Sequence, residues 1–207
     1  MARGSAITKG GVSVSAVVLA AGRATRMGEQ KVLLPIGDRS SVQRVVDAAL
    51  GSKAVETIVV LGHEADAVQE ALGERLVTVV VNTNYAQGMS TSLQTGVRAA
   101  GRDRDAVVFL LADQPFVTSA LVDLLIDRFG QTGRKIVRPV VEGRPTNPVL
   151  MSAALFPEIL EQRGDVGGRE IAQRHPDEQC LVSVDDARTC LDIDTSDDYE
   201  LALRAVQ

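Results

Sequence analysis

Short apolar runs alternate with amphipathic stretches over the first half of the chain. The run from Val14 to Leu19 is continuous and rich in β-branched residues, which is typical of a strand buried on both faces of a parallel sheet. The predicted strands cover 14–19, 55–61, 76–81 and 105–111, and helical spacing of apolar residues predicts helices over 42–50 and 64–72. This repetition indicates parallel strands, right-handed crossovers and helices on both faces. The predicted fold class is therefore α/β and Rossmann-like, with a mainly parallel sheet.

The pattern is less regular after residue 111. Helical spacing predicts a helix over 119–129, with Thr118 as its N-cap. The stretch IVRPVV predicts a strand, but three prolines between residues 135 and 151 favour a constrained path that forms a pocket wall rather than a central strand. The remaining predicted elements are a helix over 152–160, strands over 180–184 and 190–193, and a helix over 199–206.

The loop after the first strand has the composition of an anion-binding loop. Residues 20–22, Ala-Ala-Gly, leave main-chain N–H groups open to a ligand, and Arg23, Arg26 and Lys31 supply positive charge beside them. The spacing excludes a P-loop, because five residues separate the two glycines at 22 and 28 and no lysine follows the second. The G-x-G-x-x-G dinucleotide fingerprint is also missing. The loop therefore either binds phosphates in another way or only turns the chain.

Other polar residues are expected at the same edge, because open α/β sheets bind ligands outside the carboxyl ends of their strands. Asn82, Gly88 and Ser92 follow the third strand and are predicted to offer amide, backbone and hydroxyl groups to a base. Ser90 or Thr91 is the predicted cap of the next helix. Taken singly, each of the three ligand candidates is equally explained by capping or turning that helix.

Carboxylates at strand ends provide candidate metal ligands. Asp113 directly follows the fourth strand, where a carboxylate would hold a magnesium ion that bridges phosphates; its alternative role is to cap or turn the chain. Asp192 and Asp194 alternate at the end of the last predicted strand and are expected on the same side. Asp197 and Asp198 are explained by the positive end of the following helix dipole.

Composition narrows the class of protein. A length of 207 residues, with 45% hydrophobic and 24% charged residues, fits one sizeable α/β domain. The net charge of −5 argues against nucleic-acid binding, and no run reaches about 18 apolar residues, so no membrane span is predicted. Residues 1–13 are predicted to form a flexible tail without a secretory signal, which leaves 14–207 as a single domain in the cytoplasm.

Cysteine and histidine usage excludes two further kinds of site. Cys180 and Cys190 are too few for a disulfide framework and are expected to be small buried apolar residues. His63 and His175 are too few and too far apart for a histidine metal site, and no second histidine completes an H-E-x-x-H motif.

The motif L-A-A-G-x-x-x-R-M-G-x-x-K, from Leu19 to Lys31, resembles the signature loop of nucleotidyltransferases related to the molybdenum cofactor enzymes. Further landmarks follow in the family's order: G-x-x-x-S at Gly88 and Ser92, LADQP at 111–115, GD-x-G-x-R at 164–169, and DIDT at 192–195. On these motifs residues 14–206 resemble the MobA-like nucleotidyltransferase family, and within it the molybdenum cofactor cytidylyltransferases of the MocA type. The resemblance implies the nucleotide-diphospho-sugar transferase type of fold.

The resemblance also implies roles for individual residues. The implied nucleotide-binding residues are Leu19, Ala20, Ala21, Gly22, Arg26, Lys31, Asn82, Gly88 and Ser92. The implied catalytic residues are Arg26, Lys31 and Asp113, and the implied acceptor-binding residues are Asn147, Gly164, Asp165 and Arg169. Asp113 and Asp194 are the implied ligands of Mg²⁺, with Asp192 as the alternative second ligand.

One departure from the family pattern concerns the acceptor. Where the cytidylyltransferases usually carry G-H-P, this chain has Thr146-Asn147-Pro148. The nucleotide site is unaffected by this difference, but the family includes members with other acceptors.

The implied reaction transfers CMP from CTP to the terminal phosphate of molybdopterin or the molybdenum cofactor, with Mg²⁺ as cofactor and pyrophosphate as product. CTP is expected over GTP because LAAG resembles the cytidylyl members, and because the methyl group of Ala21 would narrow the site for a purine. A molybdoenzyme that receives the product is a further expected partner. The alternatives are a nucleotidyltransferase that uses GTP or a sugar phosphate, and a non-catalytic protein that delivers the molybdenum cofactor.

Overall fold

The fold consists of ten strands and seven α-helices in a computed structural model that describes residues 11–22 and 30–206. The strands are β1 Val14–Ala20, β2 Pro35–Ile36, β3 Arg39–Ser40, β4 Glu56–Leu61, β5 Thr78–Val81, β6 Ala106–Leu111, β7 Ile136–Val141, β8 Arg144–Pro145, β9 Val149–Ser152 and β10 Gln179–Ser183. The α-helices are α1 Ser41–Leu50, α2 Ala65–Leu72, α3 Met89–Ala100, α4 Ser119–Thr132, α5 Phe156–Glu161, α6 Gly168–Arg174 and α7 Ser196–Arg204.

Eight of the strands form one twisted layer with the order β10-β7-β9-β6-β1-β4-β5, and β8 pairs with β7 at its side. β1 is parallel to both of its neighbours, β4 and β6, and the pairs β4–β5 and β7–β10 are also parallel. β9 is antiparallel to both β6 and β7. The predicted mainly parallel sheet is confirmed.

Two apolar cores cover the two faces of this sheet, and the alternation within β1 shows how they are separated. Ala16 and Val18 pack into the core formed with α1, α2 and α4, whereas Val17 packs into the core formed with α3, α5 and α6. Because strand side chains point to opposite faces in turn, a continuous apolar run is needed to supply both cores. The predicted layer of helices on each face is therefore confirmed.

A third, smaller cluster holds the end of the described chain against the sheet edge. Ile36 of β2, Ile193 and Ala202 of α7 are fully buried together, and Phe116 and Tyr199 pack beside them. This cluster fixes the segment that carries the C-terminal acids.

Two predictions about the second half are wrong. Val149–Ser152 forms β9 in the interior of the sheet, although the prolines predicted that no central strand would form there. The reason is that Pro148 lies just outside the strand, so no ladder hydrogen bond is lost. Residues 190–193 form no strand: Cys190 ends a short 3-10 helix, and the following residues run to α7 without regular structure.

Two helix starts also differ from prediction. α3 begins at Met89, before the predicted caps, because its first N–H groups bond to the distant loop at Gly164 and Asp165 rather than to a local side chain. Ser152 belongs to β9, and the predicted helix over 152–160 is a 3-10 turn followed by α5.

Among residues 11–22 and 30–206, none of the helices has both the length and the apolar run that a membrane span requires.

Candidate active site

A cavity of about 660 Å³ opens at the carboxyl ends of β1 and β6, a volume within the usual range of small-molecule sites. It is lined by residues 19–22, 30–32 and 85–89 and by Ser92, Leu111, Asp113, Gly164 and Asp165. Three loops that are far apart in the sequence, after β1, after β5 and after β6, therefore meet at one site. This is the edge at which the sequence places the candidate residues.

Lys31 joins the two predicted metal ligands. Its Nζ lies 2.5 Å from Oδ2 of Asp113 and 2.8 Å from Oδ1 of Asp194. The sum of these distances sets an upper limit of 5.3 Å between the two carboxylate oxygens. The two acids, 81 positions apart by the difference of their numbers, thus already share one cation.

The protonation of Lys31 reflects this arrangement. Burial acts to lower the pKa of its ammonium group, but the charges and hydrogen bonds of Asp113 and Asp194 outweigh burial, so the pKa is raised. The side chains of Lys31 and Asp113 are 23% and 18% exposed, and Asp194 is 52% exposed. The ammonium therefore stays charged, and its attraction to Asp113 is the less screened of the two.

Asp192 lies beside this group without joining the ion pair. Its Oδ1 accepts a hydrogen bond of 2.8 Å from Nε2 of Gln114. Burial, followed by the charge of Asp113, raises the pKa of Asp192 to about 6, and Asp194 adds to the effect. Asp192 is thus an acid held next to two others that carry negative charge.

The position of Asp194 depends on a backbone contact with the loop that carries Asp113. The N–H of Ile193 donates to the carbonyl oxygen of Asp113 at 3.0 Å. Asp198 Oδ2 accepts from the backbone N–H groups of Asp194 and Thr195, and Thr195 Oγ1 caps α7. The segment therefore delivers Asp194 to the site and buries Ile193 on its other side.

The predicted base-reading residues have different surroundings. Asn82 is buried, and its amide donates to Oγ1 of Thr91 at 2.8 Å and Oγ of Ser92 at 3.0 Å. Ser92 lines the cavity, whereas Asn82 positions it from behind. Gly88 lies directly against the backbone of Gly164, at a φ of 109°, so no side chain fits there.

The loop predicted to bind the acceptor contributes Gly164 and Asp165 to the lining of the larger cavity. The N–H of Met89 donates to Oδ1 of Asp165 at 3.1 Å, and the N–H of Ser90 donates to the oxygen of Gly164 at 3.2 Å. Because these contacts use the first N–H groups of α3, that helix end is already occupied by the chain itself.

The other two predicted acceptor residues, Asn147 and Arg169, line a smaller cavity of about 180 Å³. The two cavities share Leu19, Met89 and Leu111 in their walls. They are therefore neighbours, and one elongated ligand or two adjacent ligands fit the pair.

Ala21 contributes less to the shape of the site than its sequence position predicts. The residue is 4% exposed, and its methyl group packs against Gly62 at the end of β4, where a side chain at position 62 would meet it at 2.7 Å. Most of the methyl group thus faces the apolar core rather than a ligand.

Arg26 lies outside the described residues, as do Arg23, Met27 and Gly28 of the same loop. Its assignment as a nucleotide-binding and catalytic residue stays a prediction. The ends of the loop are described: Leu19 to Gly22 and Lys31 all line the larger cavity.

The site contains further residues that are not among the predicted site residues, although one of them, Gln114, lies within the LADQP motif. Gln30 is buried and donates from Nε2 to the oxygen of His63 at 2.8 Å, which fixes the residue before Lys31. Gln114 holds Asp192, and Tyr85 lines the cavity with its ring 5.9 Å from that of His63. The sequence has only two tyrosines, and an aromatic residue within a polar loop is the signal that indicates Tyr85.

Within the described part of the chain, no group of three or more His, Cys, Asp or Glu side chains is arranged to hold a metal ion by itself. The site instead offers two carboxylates that converge on one cation. Oxygen ligands of this kind suit Mg²⁺ and Mn²⁺, and Mg²⁺ commonly takes one or two carboxylates together with substrate phosphates.

Comparison with known proteins places this geometry in a family. Residues 16–179 match the MobA-like NTP transferase domain. Bifunctional protein GlmU of Exiguobacterium sibiricum is 30% identical over 123 residues, which cover 58% of this chain but 27% of that protein. Nicotine blue oxidoreductase of Paenarthrobacter nicotinovorans is 29% identical over 189 residues, which cover 88% of this chain and 92% of that protein. Molybdenum cofactor cytidylyltransferase of Escherichia coli is 26% identical, with 90% and 94% covered.

Solved structures with the same fold include Rv0371c of Mycobacterium tuberculosis, with a TM-score of 0.84, 28% identity and coverage of 94% of this chain and 99% of that one. A manganese complex of the same protein has a TM-score of 0.81 at 28% identity, with 94% and 100% covered. A nucleotidyl transferase of Methanothermobacter, Mth528, has a TM-score of 0.80 at 27% identity, also with 94% and 100% covered. The fold is that of nucleotidyltransferases of the nucleotide-diphospho-sugar transferase type.

Proposed function

We propose that this chain, which belongs to the family of MobA-like NTP transferase domains, is a Mg²⁺-dependent cytidylyltransferase. In this proposal it transfers CMP from CTP to the terminal phosphate of molybdopterin or the molybdenum cofactor and releases pyrophosphate. The similarity to the Escherichia coli cytidylyltransferase over most of both chains supports the choice of substrates. A molybdoenzyme that receives the product is a further proposed partner.

The observation that carries the proposal is the contact of Lys31 with both Asp113 and Asp194 at the mouth of the larger cavity. Two carboxylates held this close repel each other unless a cation lies between them. The ammonium group of Lys31 has that role in the free protein. The same pair of acids would hold Mg²⁺, which when bound supplies positive charge to the phosphate oxygens.

Nucleotide binding gives Lys31 a second set of partners. Its long, flexible side chain carries a compact charge that can move from the carboxylates to the phosphates of CTP. There it neutralises the pyrophosphate that leaves, while the N–H groups of residues 20–22 bind phosphate oxygens. Moving the ammonium group also leaves Asp113 and Asp194 free as ligands.

No general base is required among the protein's side chains. The attacking group is a phosphate with a second pKa of about 6, so it is ionised near neutral pH. The new bond joins an oxygen of this phosphate to the α-phosphorus of CTP, and the bond between that phosphorus and the bridging oxygen of pyrophosphate breaks. Positioning of the two phosphates and neutralisation of charge therefore account for the catalysis.

The choice of CTP rests on the similarity of the LAAG loop rather than on the Ala21 methyl group, which packs against Gly62. Ser92 is the proposed base-reading side chain, because it lines the cavity and Asn82 holds its oxygen in place. Both cysteines are free thiols, in keeping with the proposed cytoplasmic location.

A pyrophosphate-release assay tests the proposal. The purified protein is incubated with Mg²⁺, molybdopterin and each of CTP, GTP, ATP and UTP in turn, and with CTP and a sugar 1-phosphate. We expect release only with CTP and molybdopterin together. Equal or greater release with GTP contradicts the nucleotide, and release with the sugar phosphate contradicts the acceptor.

Matched variants keep the result interpretable. Asp113→Asn removes a proposed ligand, and Asp103→Asn removes an exposed carboxylate elsewhere as a control. Absence of release with every nucleotide and acceptor, from protein that is folded by circular dichroism, contradicts nucleotidyl transfer itself. Molybdopterin binding without turnover then identifies the delivery protein.

A further inference from the structure

Arg138 is a buried cation that forms no ion pair with any of the described residues. It lies in β7 and is 3% exposed, and its Nε donates to the carbonyl oxygen of Thr146 at 3.2 Å. Within residues 11–22 and 30–206 no carboxylate forms an ion pair with it, and its other N–H groups have no hydrogen-bond partner. Burying a charged group in this way is costly, so such a residue is expected to have an anionic ligand.

The position of Arg138 relates it to the smaller cavity. Ile136 packs into the core on the α6 side of the sheet, and alternation along β7 places Arg138 on the same side. The register of β7 with β9 brings Val149 alongside, and Val149 lines that cavity. Asn147, next to the Thr146 carbonyl group that Arg138 contacts, lines it too.

A second arginine lies at the same cavity. Arg169 lines it, is exposed, and has no carboxylate partner among the described residues. Burial and then the charge of Arg169 lower the pKa of Arg138, whereas the charge of Glu170 acts to raise it. Arg169 therefore lies close enough to Arg138 for the two like charges to interact. Glu170 also lines the cavity, but its Oε2 accepts the N–H of Gly167 at 2.8 Å. The balance of charge there is positive.

We propose that Arg138 joins Arg169, for which the family resemblance already implies acceptor binding, and that the two arginines together bind an anionic group of the acceptor, of about the size of a phosphate. This inference rests on the proposed function, in which a second substrate approaches the nucleotide. The shared walls of the two cavities, at Leu19, Met89 and Leu111, put this site beside the nucleotide rather than at it. Arginine is suited to the role because its planar group binds oxyanions through paired hydrogen bonds.

Steady-state kinetics test the site through the two substrates separately. In Arg169→Gln and Arg138→Met we expect the KM for molybdopterin to rise about tenfold or more, with the KM for CTP unchanged. Arg138→Lys keeps the charge and should have a smaller effect. Arg98→Gln, which removes another exposed arginine, is the matched control. A rise in the KM for CTP, or no change for either substrate, overturns the proposal.

A binding measurement separates this inference from the proposed function. Inorganic phosphate is titrated by calorimetry into protein saturated with CTP, in the absence of acceptor. We expect binding to the wild type that is lost in Arg169→Gln and kept in Arg98→Gln. If no acceptor is turned over but this pattern holds, only the proposed function fails. If turnover is normal but phosphate binding does not depend on Arg169, only the inference fails.

Two further points are decided by the same proteins. Should Arg138→Met not fold by circular dichroism, the exposed Arg169→Gln variant and Arg138→Lys decide the outcome. Binding of dephosphorylated acceptor to the wild type and to Arg169→Gln identifies the group that the site binds. If Arg169→Gln binds dephosphorylated acceptor more weakly than the wild type does, the site binds a second anionic group of the acceptor. If both proteins bind dephosphorylated acceptor equally but Arg169→Gln binds intact acceptor more weakly, the site binds the reacting phosphate.

Discussion

Lys31 and Arg138 are both cations in partly or fully buried surroundings, yet their pKa values are displaced in opposite directions. Burial acts to lower the pKa of each. At Lys31 the two carboxylates outweigh burial and raise the pKa, whereas at Arg138 the nearby Arg169 acts in the same direction as burial and outweighs the opposite effect of Glu170. In the first region the cation is paired with two carboxylates, whereas in the second neither arginine forms an ion pair among the described residues and Glu170 offsets only part of their charge.

This difference indicates what each region does when substrates enter. A cation that is already paired can exchange partners, because each carboxylate it leaves can take another cation. A cation that has no ion-pair partner can bind an anionic ligand without first breaking an existing ion pair. Under the proposed function, the surroundings of Lys31 in the larger cavity would take the metal ion and the triphosphate, and the surroundings of Arg138 and Arg169 beside the smaller cavity would take the anionic acceptor.

The largest expected effect is that of removing the Asp113 carboxylate, which is one of the two ion-pair partners of Lys31. Asp113→Asn removes one of the two carboxylates but keeps its shape, so turnover should fall at least about 100-fold while the fold is retained. Pyrophosphate release and circular dichroism measure the two outcomes. Near-normal Mg²⁺-dependent activity would mean that another acid is the essential ligand.

Replacing Lys31 separates its two proposed partners. In Lys31→Met the carboxylates lose their internal cation, so Mn²⁺ should bind the nucleotide-free protein roughly tenfold more tightly, whereas affinity for CTP and the turnover rate should fall. Calorimetric titration with Mn²⁺ measures the first change. Weaker Mn²⁺ binding than in the wild type would show that the ammonium group and the metal do not compete for Asp113 and Asp194.

Gly88→Ala is expected to displace the loop at Gly164 and Asp165 but to leave the pair of acids, Asp113 and Asp194, in place. A methyl group at position 88 would meet the backbone of Gly164 and Asp165 and would occupy an unfavourable φ, at a cost of about 1–3 kcal/mol. The loop that leads to Arg169 should shift, which raises the KM for the acceptor several-fold. Mn²⁺ affinity serves as the control, and a change in it alone would contradict this account.

The smallest expected effect is on stability. A folded pKa of about 6 at Asp192, above the 3.8 of an ordinary aspartate, means that folding favours the neutral acid. The associated stability is fully present below pH 3.8 and is lost as the pH rises to about 6. Asp192→Asn keeps the acceptor oxygen for Gln114 but removes the charge that faces Asp113 and Asp194. Its Tm should exceed that of the wild type by about 2–4 °C at pH 7, with no gain at pH 4.

Local patterns were sufficient to predict β1 and the position of Asp113, because a continuous apolar run followed by a carboxylate depends only on neighbours in the sequence. The interior place of β9 was not predictable in this way. Its central position results from antiparallel pairing with β6 and β7, and the nearby prolines carry no information about those partners.

Long-range contacts also explain the other differences. The alternation of Asp192, Ile193 and Asp194 resembles a strand, but the backbone of Ile193 bonds to a loop rather than to a neighbouring strand. Arg138 had no signal at all, because a single arginine in an apolar strand is usually read as solvent-facing. Only the three-dimensional structure shows that it is buried beside a cavity.

The hydrogen bond from Ile193 to Asp113 has a consequence for the motions of the protein. The stretch that carries Asp194 is held to the sheet edge by this backbone bond and by a small apolar cluster, whereas β1 is bonded along both sides. Opening of that stretch requires much less free energy than unfolding of the sheet. Its amide protons should therefore exchange with solvent far faster than those of β1, and the fraction of molecules with a complete pair of acids is set by this local equilibrium rather than by global stability.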